Sequence, residues 1–134
     1  MKELLKKKTA EKAPEVIGWR RQIHEYPELS NEEFRTADLI EDKLRSFGIR
    51  SIKRIGKSGT GVFAELRGTG EGPRICIGIR ADIDALPIQE QSGVPYASKR
   101  DGIFHGCGHD SHAAILLGVA WLLSDLRDRF AGCV

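Results

Sequence analysis

Between Arg74 and Arg80 the chain reads Ile75, Cys76, Ile77, Gly78, Ile79, a run that is apolar or small on both faces. Such a strand belongs in the middle of a sheet, because each of its faces must be covered by another element. The rest of the chain offers those elements in order. Pro14 fits a first helical position, and Val16, Trp19, Ile23 and Tyr26 follow at helical spacing until Pro27 stops the run. Ser30 and Glu33 have the spacing of a capping box, with Leu29 and Phe34 placed as its hydrophobic staple. Phe34, Ala37, Ile40, Leu44 and Phe47 then form one apolar stripe of a second helix, which Gly48 ends. Ser51 to Ile55 and Thr60 to Leu66 are β-branched runs around Gly56-Lys57-Ser58-Gly59 and predict a hairpin. From about His112 to Arg129, apolar residues cover most of a helical circumference, which predicts a buried helix. Residues 129–134 read as a helix exit and the first residues of another strand.

This order predicts an α/β fold with a mixed sheet flanked by helices. With no repeat, low-complexity tract or linker, residues 1–134 form one unit. The 21 basic and 19 acidic side chains leave a formal charge of +2, which gives no long-range field to draw nucleic acid or membrane. Lys6, Lys7 and Lys8 read as a solvated helix face. The first residues lack an apolar leader and Ala113 to Leu123 is too short to span a bilayer, so a cytoplasmic location is expected. Three cysteines at unrelated spacings argue for reduced thiols, with Cys76 a small core residue and Cys133 incidental.

Two clusters carry chemistry. The first is Arg80-Ala81-Asp82-Ile83-Asp84-Ala85-Leu86-Pro87, at the carboxyl end of the expected central strand, where open α/β sheets place their ligands. Asp82 and Asp84 can face one side, where two carboxylates repel unless a cation or a shared proton lies between them; alternatively they bond to nearby turn N–H groups. The second is His105-Gly106-Cys107-Gly108-His109-Asp110-Ser111-His112, just ahead of the buried helix. Thiolate and imidazole are favoured ligands of zinc and its neighbours, and such density is hard to explain as packing. Asp110 or Ser111 also suits a helix N-cap. Between the clusters runs a loop from about Ile83 to Gly108, longer than compact domains usually carry. His24 reads as a structural or surface side chain. Gly68, Gly70 and Gly72 do not form a phosphate loop, since they precede a strand and no Lys-Ser/Thr follows.

Four segments in this order resemble one family. They are Arg20 to Ser30, Gly59-Thr60-Gly61-Val62, Arg80 to Pro87, and His105 to His112 with the Leu-rich helix after it. The family comprises the bacterial and plant amidohydrolases that include aminoacylases, hippurate hydrolase and the indole-acetyl-amino-acid hydrolases, related to dizinc carboxypeptidases. The resemblance covers nearly the whole chain. It implies a zinc-peptidase-like catalytic domain in three layers, with Cys107 and His109 as ligands of a centre of two divalent metals (Zn, Mn, Co or Ni). Asp82 and Asp84 would sit behind the ligands and fix their orientation. The implied reaction is hydrolysis of the amide bond of an N-acyl amino acid or peptide by water activated at the metals, with a Glu taking the proton.

The family's Glu-Glu pair and two later His ligands have no counterpart here, nor does its lid and dimerisation domain. The chain therefore resembles the first third of such an enzyme and is expected to be inactive alone. A divalent ion held by Cys107 and His109 would need water, Asp82, Asp110 or His112 to complete its shell. A small-molecule substrate and a homo-oligomer are expected, without nucleic acid or membrane. The alternative is a non-catalytic module for metal binding or protein association.

Overall fold

A computed structural model describes all residues, Met1–Val134. Helix α1 runs over Lys2–Glu25, α2 over Phe34–Ser46 and α3 over His109–Asp125; strands β1 (Ser51–Ile55) and β2 (Gly61–Glu65) lie between α2 and α3. The two strands form an antiparallel hairpin in which Ile55 pairs with Gly61 and Ser51 with Glu65. The turn signals at Gly56 and Gly59 are matched by positive φ at both residues, a conformation that costs glycine little.

Helix α1 begins twelve residues before the expected Pro14, which sits inside it. Proline removes one helical hydrogen bond, but tertiary contacts hold the first turns against α3. The Lys12 ammonium lies 2.9 Å from Asp125 and 3.2 Å above the centre of the Trp121 ring. The capping box is also corrected. Residue Glu33 is the N-cap of α2 and makes no side-chain cap bond. Instead the buried Glu28 carboxylate accepts from the backbone N–H groups of Arg35 (3.1 Å) and Thr36 (2.8 Å) and from the Thr36 hydroxyl (2.9 Å). An ionised acceptor at a helix N-terminus satisfies free donors and complements the helix dipole better than Ser30 could from outside the turn.

The core is built where α1, α2, α3 and the hairpin meet, around Trp19, Leu44, Ile49, Leu66 and Leu117. Phe47 stacks on Trp121 at 5.5 Å, and Trp19 lies 5.7 Å from Phe47 and 5.5 Å from Trp121. α1 and α3 approach closely at Gly118, where an added Cβ would stand 3.0 Å from a Val16 methyl carbon.

The expected central strand does not form as such. Residues 74–80 are extended but exposed, with Ile75, Ile77 and Ile79 at 64%, 59% and 50%. Their pairing is confined to the C-terminal segment: Cys133 N–H donates to the Ile75 carbonyl (3.0 Å) and Ile77 N–H to the Cys133 carbonyl (2.9 Å). Cys133 also pairs antiparallel with Arg67, so residues 130–134 lie between 66–70 and 75–77. That strand-like exit was expected; the run 78–83 finds no partner in the chain. The closeness of 66–70 to 128–132 explains the glycines there. A Cβ on Gly68 would meet the Phe130 carbonyl at 2.2 Å, and one on Gly70 the Asp128 carbonyl at 2.6 Å.

The expectation of three free thiols is overturned. Cys76 and Cys133, adjacent across this parallel bridge with Cα atoms 4.4 Å apart, form a disulfide, and only Cys107 is free. Odd spacing along the chain did not reveal the pair, because its members come together only through the return of the chain after α3.

Candidate metal centre

The loop from Ile83 to Gly108 is ordered by backbone bonds that fold its two ends together. Ala85 N–H donates to the Glu28 carbonyl at 2.8 Å, and Leu86 and Phe104 exchange N–H···O bonds of 2.9 and 3.0 Å. This pairing brings the first cluster beside the second. Gly108, in the left-handed conformation (φ 79°), is the N-cap of α3, and the N–H groups of Ser111 and His112 bond to its carbonyl at 3.0 and 3.1 Å. The helix thus starts at His109 and not near His112. Neither Asp110 nor Ser111 is the cap.

His109 Nδ1 lies 2.9 Å from the Asp84 carboxylate and 3.0 Å from the Asp84 carbonyl. Both partners are acceptors, so Nδ1 must carry the proton, and Nε2 keeps its lone pair. Cys107, two residues earlier on the turn before α3, is exposed. Asp82 lies apart from this contact and pairs with Arg80. Asp82 and Asp84 both line a groove of about 890 Å³ between residues 76–84, β2 and α3. The ring of His112, one turn along, is 6.0 Å from that of His109. His105 is buried and neither ring nitrogen has a hydrogen bond; burial, with the nearby His24 and His109, pushes its pKa down to about 4 against the pull of Asp110 and Asp84. The ring is therefore neutral near pH 7.

Asp110 turns away from the cluster. It is 0% exposed, and its Oδ2 accepts from Arg20 Nε (2.6 Å) and lies 2.7 Å from His24 Nδ1. Burial works against the Arg20 charge, but Asp110 and Tyr96 outweigh it and raise the guanidinium's pKa. His24 Nε2 lies 3.1 Å from the Glu90 carboxylate. Burial of Glu90 opposes its charge too, yet bonds from the Ser92 hydroxyl, the Ser98 N–H and His24 hold it below the usual carboxylate range. His24 is thus not a surface side chain but a buried one, set between two carboxylates. Arg20 and Glu90 did not stand out in the sequence, where a lone charged residue looks the same whether it meets solvent or a partner.

The sequence profile of peptidase family M20/M25/M40 matches residues 78–134, the stretch that holds Asp82, Asp84, Cys107 and His109. Residues 78–134 belong to peptidase family M20/M25/M40. Among M20 relatives, the chain is 52% identical over 118 residues to the N-acetyl-L-cysteine deacetylase of Bacillus subtilis, covering 88% of this chain and 27% of that protein. It is 46% identical over 131 residues to the N-acyl-L-amino acid amidohydrolase of Geobacillus stearothermophilus, covering 98% of this chain and 34% of the relative. The crystal structure of a dinuclear metal-binding M20 peptidase from Bacillus subtilis superposes with a TM-score of 0.81 at 47% identity, over 90% of this chain and 33% of that one. The α/β fold is thus that of an M20 peptidase domain, and the chain spans about a third or less of the length of these proteins.

The donors suit a divalent ion of the M20 kind in type but not in number. A free thiol and an imidazole with its distal nitrogen available are present, whereas no three His, Cys, Asp or Glu side chains converge closely enough to hold an ion. Asp110, expected as a possible extra ligand, is committed to Arg20 and His24.

Proposed function

We propose that residues 1–134 are the front part of the catalytic domain of a metal-dependent amidohydrolase that cleaves the amide bond of N-acyl amino acids or peptides. In this reading Cys107 and His109 each give one ligand to a centre of two divalent ions (Zn, Mn, Co or Ni). Asp84 orients His109, and Asp82, paired with Arg80, supports the segment that carries Asp84. When bound, the metals would polarise the scissile carbonyl and acidify water. The single observation that carries the reading is the Asp84–His109 contact, the carboxylate–imidazole arrangement that fixes a ligand's tautomer and leaves Nε2 for metal. The activities named for the two bacterial relatives supply the substrate class.

The first test is a cobalt(II) titration of protein prepared free of chelator. The wild-type chain is expected to give a thiolate-to-cobalt band that Cys107→Ala abolishes and His109→Ala weakens strongly. Asp84→Ala is expected to lower affinity by about 10- to 100-fold. With only two ligands and no convergent Glu, the chain alone is expected not to turn over N-acetyl or N-benzoyl amino acids. Measured turnover would refute that part.

The exposed Ile75, Ile77 and Ile79 and the unpaired edge beside them favour self-association, so a homo-oligomer belongs to the proposal. Light scattering should find oligomers that Ile77→Lys reduces; a concentration-independent monomer in the wild type would count against it. No helix is long and apolar enough to cross a membrane, and the near-balanced charge favours neither nucleic acid nor membrane as a partner. A cytoplasmic location is proposed as well.

A further inference from the structure

The Asp84–His109 contact joins two parts of the chain that are each anchored on the same helix. Asp84 belongs to the long loop. Six residues on, Glu90 ties that loop to His24 of α1 through a 3.1 Å contact with Nε2. His109 opens α3, and its neighbour Asp110 ties that turn to the other nitrogen of His24 at 2.7 Å. One imidazole therefore spans the carboxylates that fix the two sides of the contact.

From this geometry we infer that His24 is a positioning residue for the metal site, holding His109 and Asp84 in register through Asp110 and Glu90. The inference rests on the metal reading given above. Each ring nitrogen faces a carboxylate oxygen, so one ring meets both anchors at once. Imidazole places its two nitrogens on separate edges of one small rigid plane, so a single ring can reach a carboxylate on either side. Tyr96 and Phe104 pack against that plane, each at 5.5 Å and 81°, and keep it from turning. Arg20 completes the anchor, donating to Asp110 from Nε and to the Tyr96 hydroxyl from Nη1 at 3.0 Å. Because α3 has no side-chain cap, its first turn depends on these bonds for its placement. A shift of about 1 Å there is enough to spoil a metal or catalytic geometry.

The experiment compares wild type, His24→Gln and the control Lys99→Ala, which removes another loop-to-α1 link, the exposed Lys99–Glu25 pair. A glutamine can donate to one carboxylate but turns its carbonyl toward the other. Two readouts are taken after thermal melts establish cooperative folding. One is the ring ¹⁵N spectrum of His109, which reports the proton on Nδ1 with no metal present; the other is the cobalt(II) titration. In His24→Gln the protected Nδ1–H signal of His109 is expected to be lost and cobalt affinity to fall at least tenfold, while Lys99→Ala leaves both unchanged. An unaltered His109 spectrum, or cobalt affinity within twofold of wild type, would overturn the positioning role. A wild-type chain without a Cys107-dependent cobalt band would overturn the metal reading instead, and the His109 spectrum would then decide the positioning role alone. If His24→Gln does not fold, Glu90→Gln decides it by the same readouts.

Discussion

Replacing Asp110 with Ala should cost about 3–5 kcal/mol of folding stability, the range expected when one partner of a buried ionic cluster is removed. The carboxylate is fully buried and serves both Arg20 and His24. Alanine would leave the guanidinium without its carboxylate partner and His24 Nδ1 without an acceptor. His24 is almost fully buried and could not regain hydration, whereas the Arg20 side chain, 30% exposed, could do so only in part. The loss also opens a gap between the helices that frame the core. Against a typical total of about 5–15 kcal/mol, this is enough to populate the unfolded chain. Asp110→Asn keeps the volume and one acceptor oxygen, so a smaller loss is expected. Urea titration followed by tryptophan fluorescence suits the question, since Trp19 and Trp121 lie within the affected packing. A change below about 1 kcal/mol for Asp110→Ala would mean that the cluster is no more than solvated surface charge.

Reduction of the Cys76–Cys133 bond should produce an effect of similar size by a different route. The bond closes a loop with a sequence separation of 57, and the chain-entropy account assigns such closure about 4 kcal/mol. Most of that arises in the unfolded state, where the reduced chain gains freedom. In the folded state the bond fastens residues 75–77 to 131–134, a junction otherwise held by few backbone hydrogen bonds. The enclosed loop also contains Asp82, Asp84, Cys107 and His109, and the reduced chain should show faster amide exchange at residues 75–77 and 131–134. Thiol titration of the oxidised chain in denaturant should find one reactive group, Cys107, and three after reduction. Urea curves with and without reductant then give the stability difference. Three free thiols in the air-oxidised protein would remove the basis of the prediction.

Much of the secondary structure was legible because it is encoded locally. The stripe from Phe34 to Phe47 needs only helical periodicity, and the hairpin needs only β-branched runs around residues that tolerate positive φ. Helix boundaries were less legible. α1 extends back through Pro14 because Lys12 meets Asp125 and Trp121, over a hundred residues away. α3 reaches back to His109 because Gly108 takes the left-handed turn, and Glu28 caps α2 in place of the nearer Ser30.

The candidate site divides in the same way. Density of His and Cys marked residues 105–112, and paired carboxylates marked residues 82 and 84, from composition over a few positions. The partnership of Asp84 with His109 in preference to Asp82 depends on the Leu86–Phe104 pairing that closes the loop.

The sequence by itself determined the helices, the hairpin and which short segments carry chemistry, since those follow from propensity and periodicity within a few residues. Tertiary structure alone decided that Cys76 meets Cys133, that Asp110 faces Arg20 and His24, and that residues 74–80 stay exposed. Each of those outcomes depends on a partner 50 or more residues away, or on the lack of one, and local pattern holds no record of which distant group will arrive.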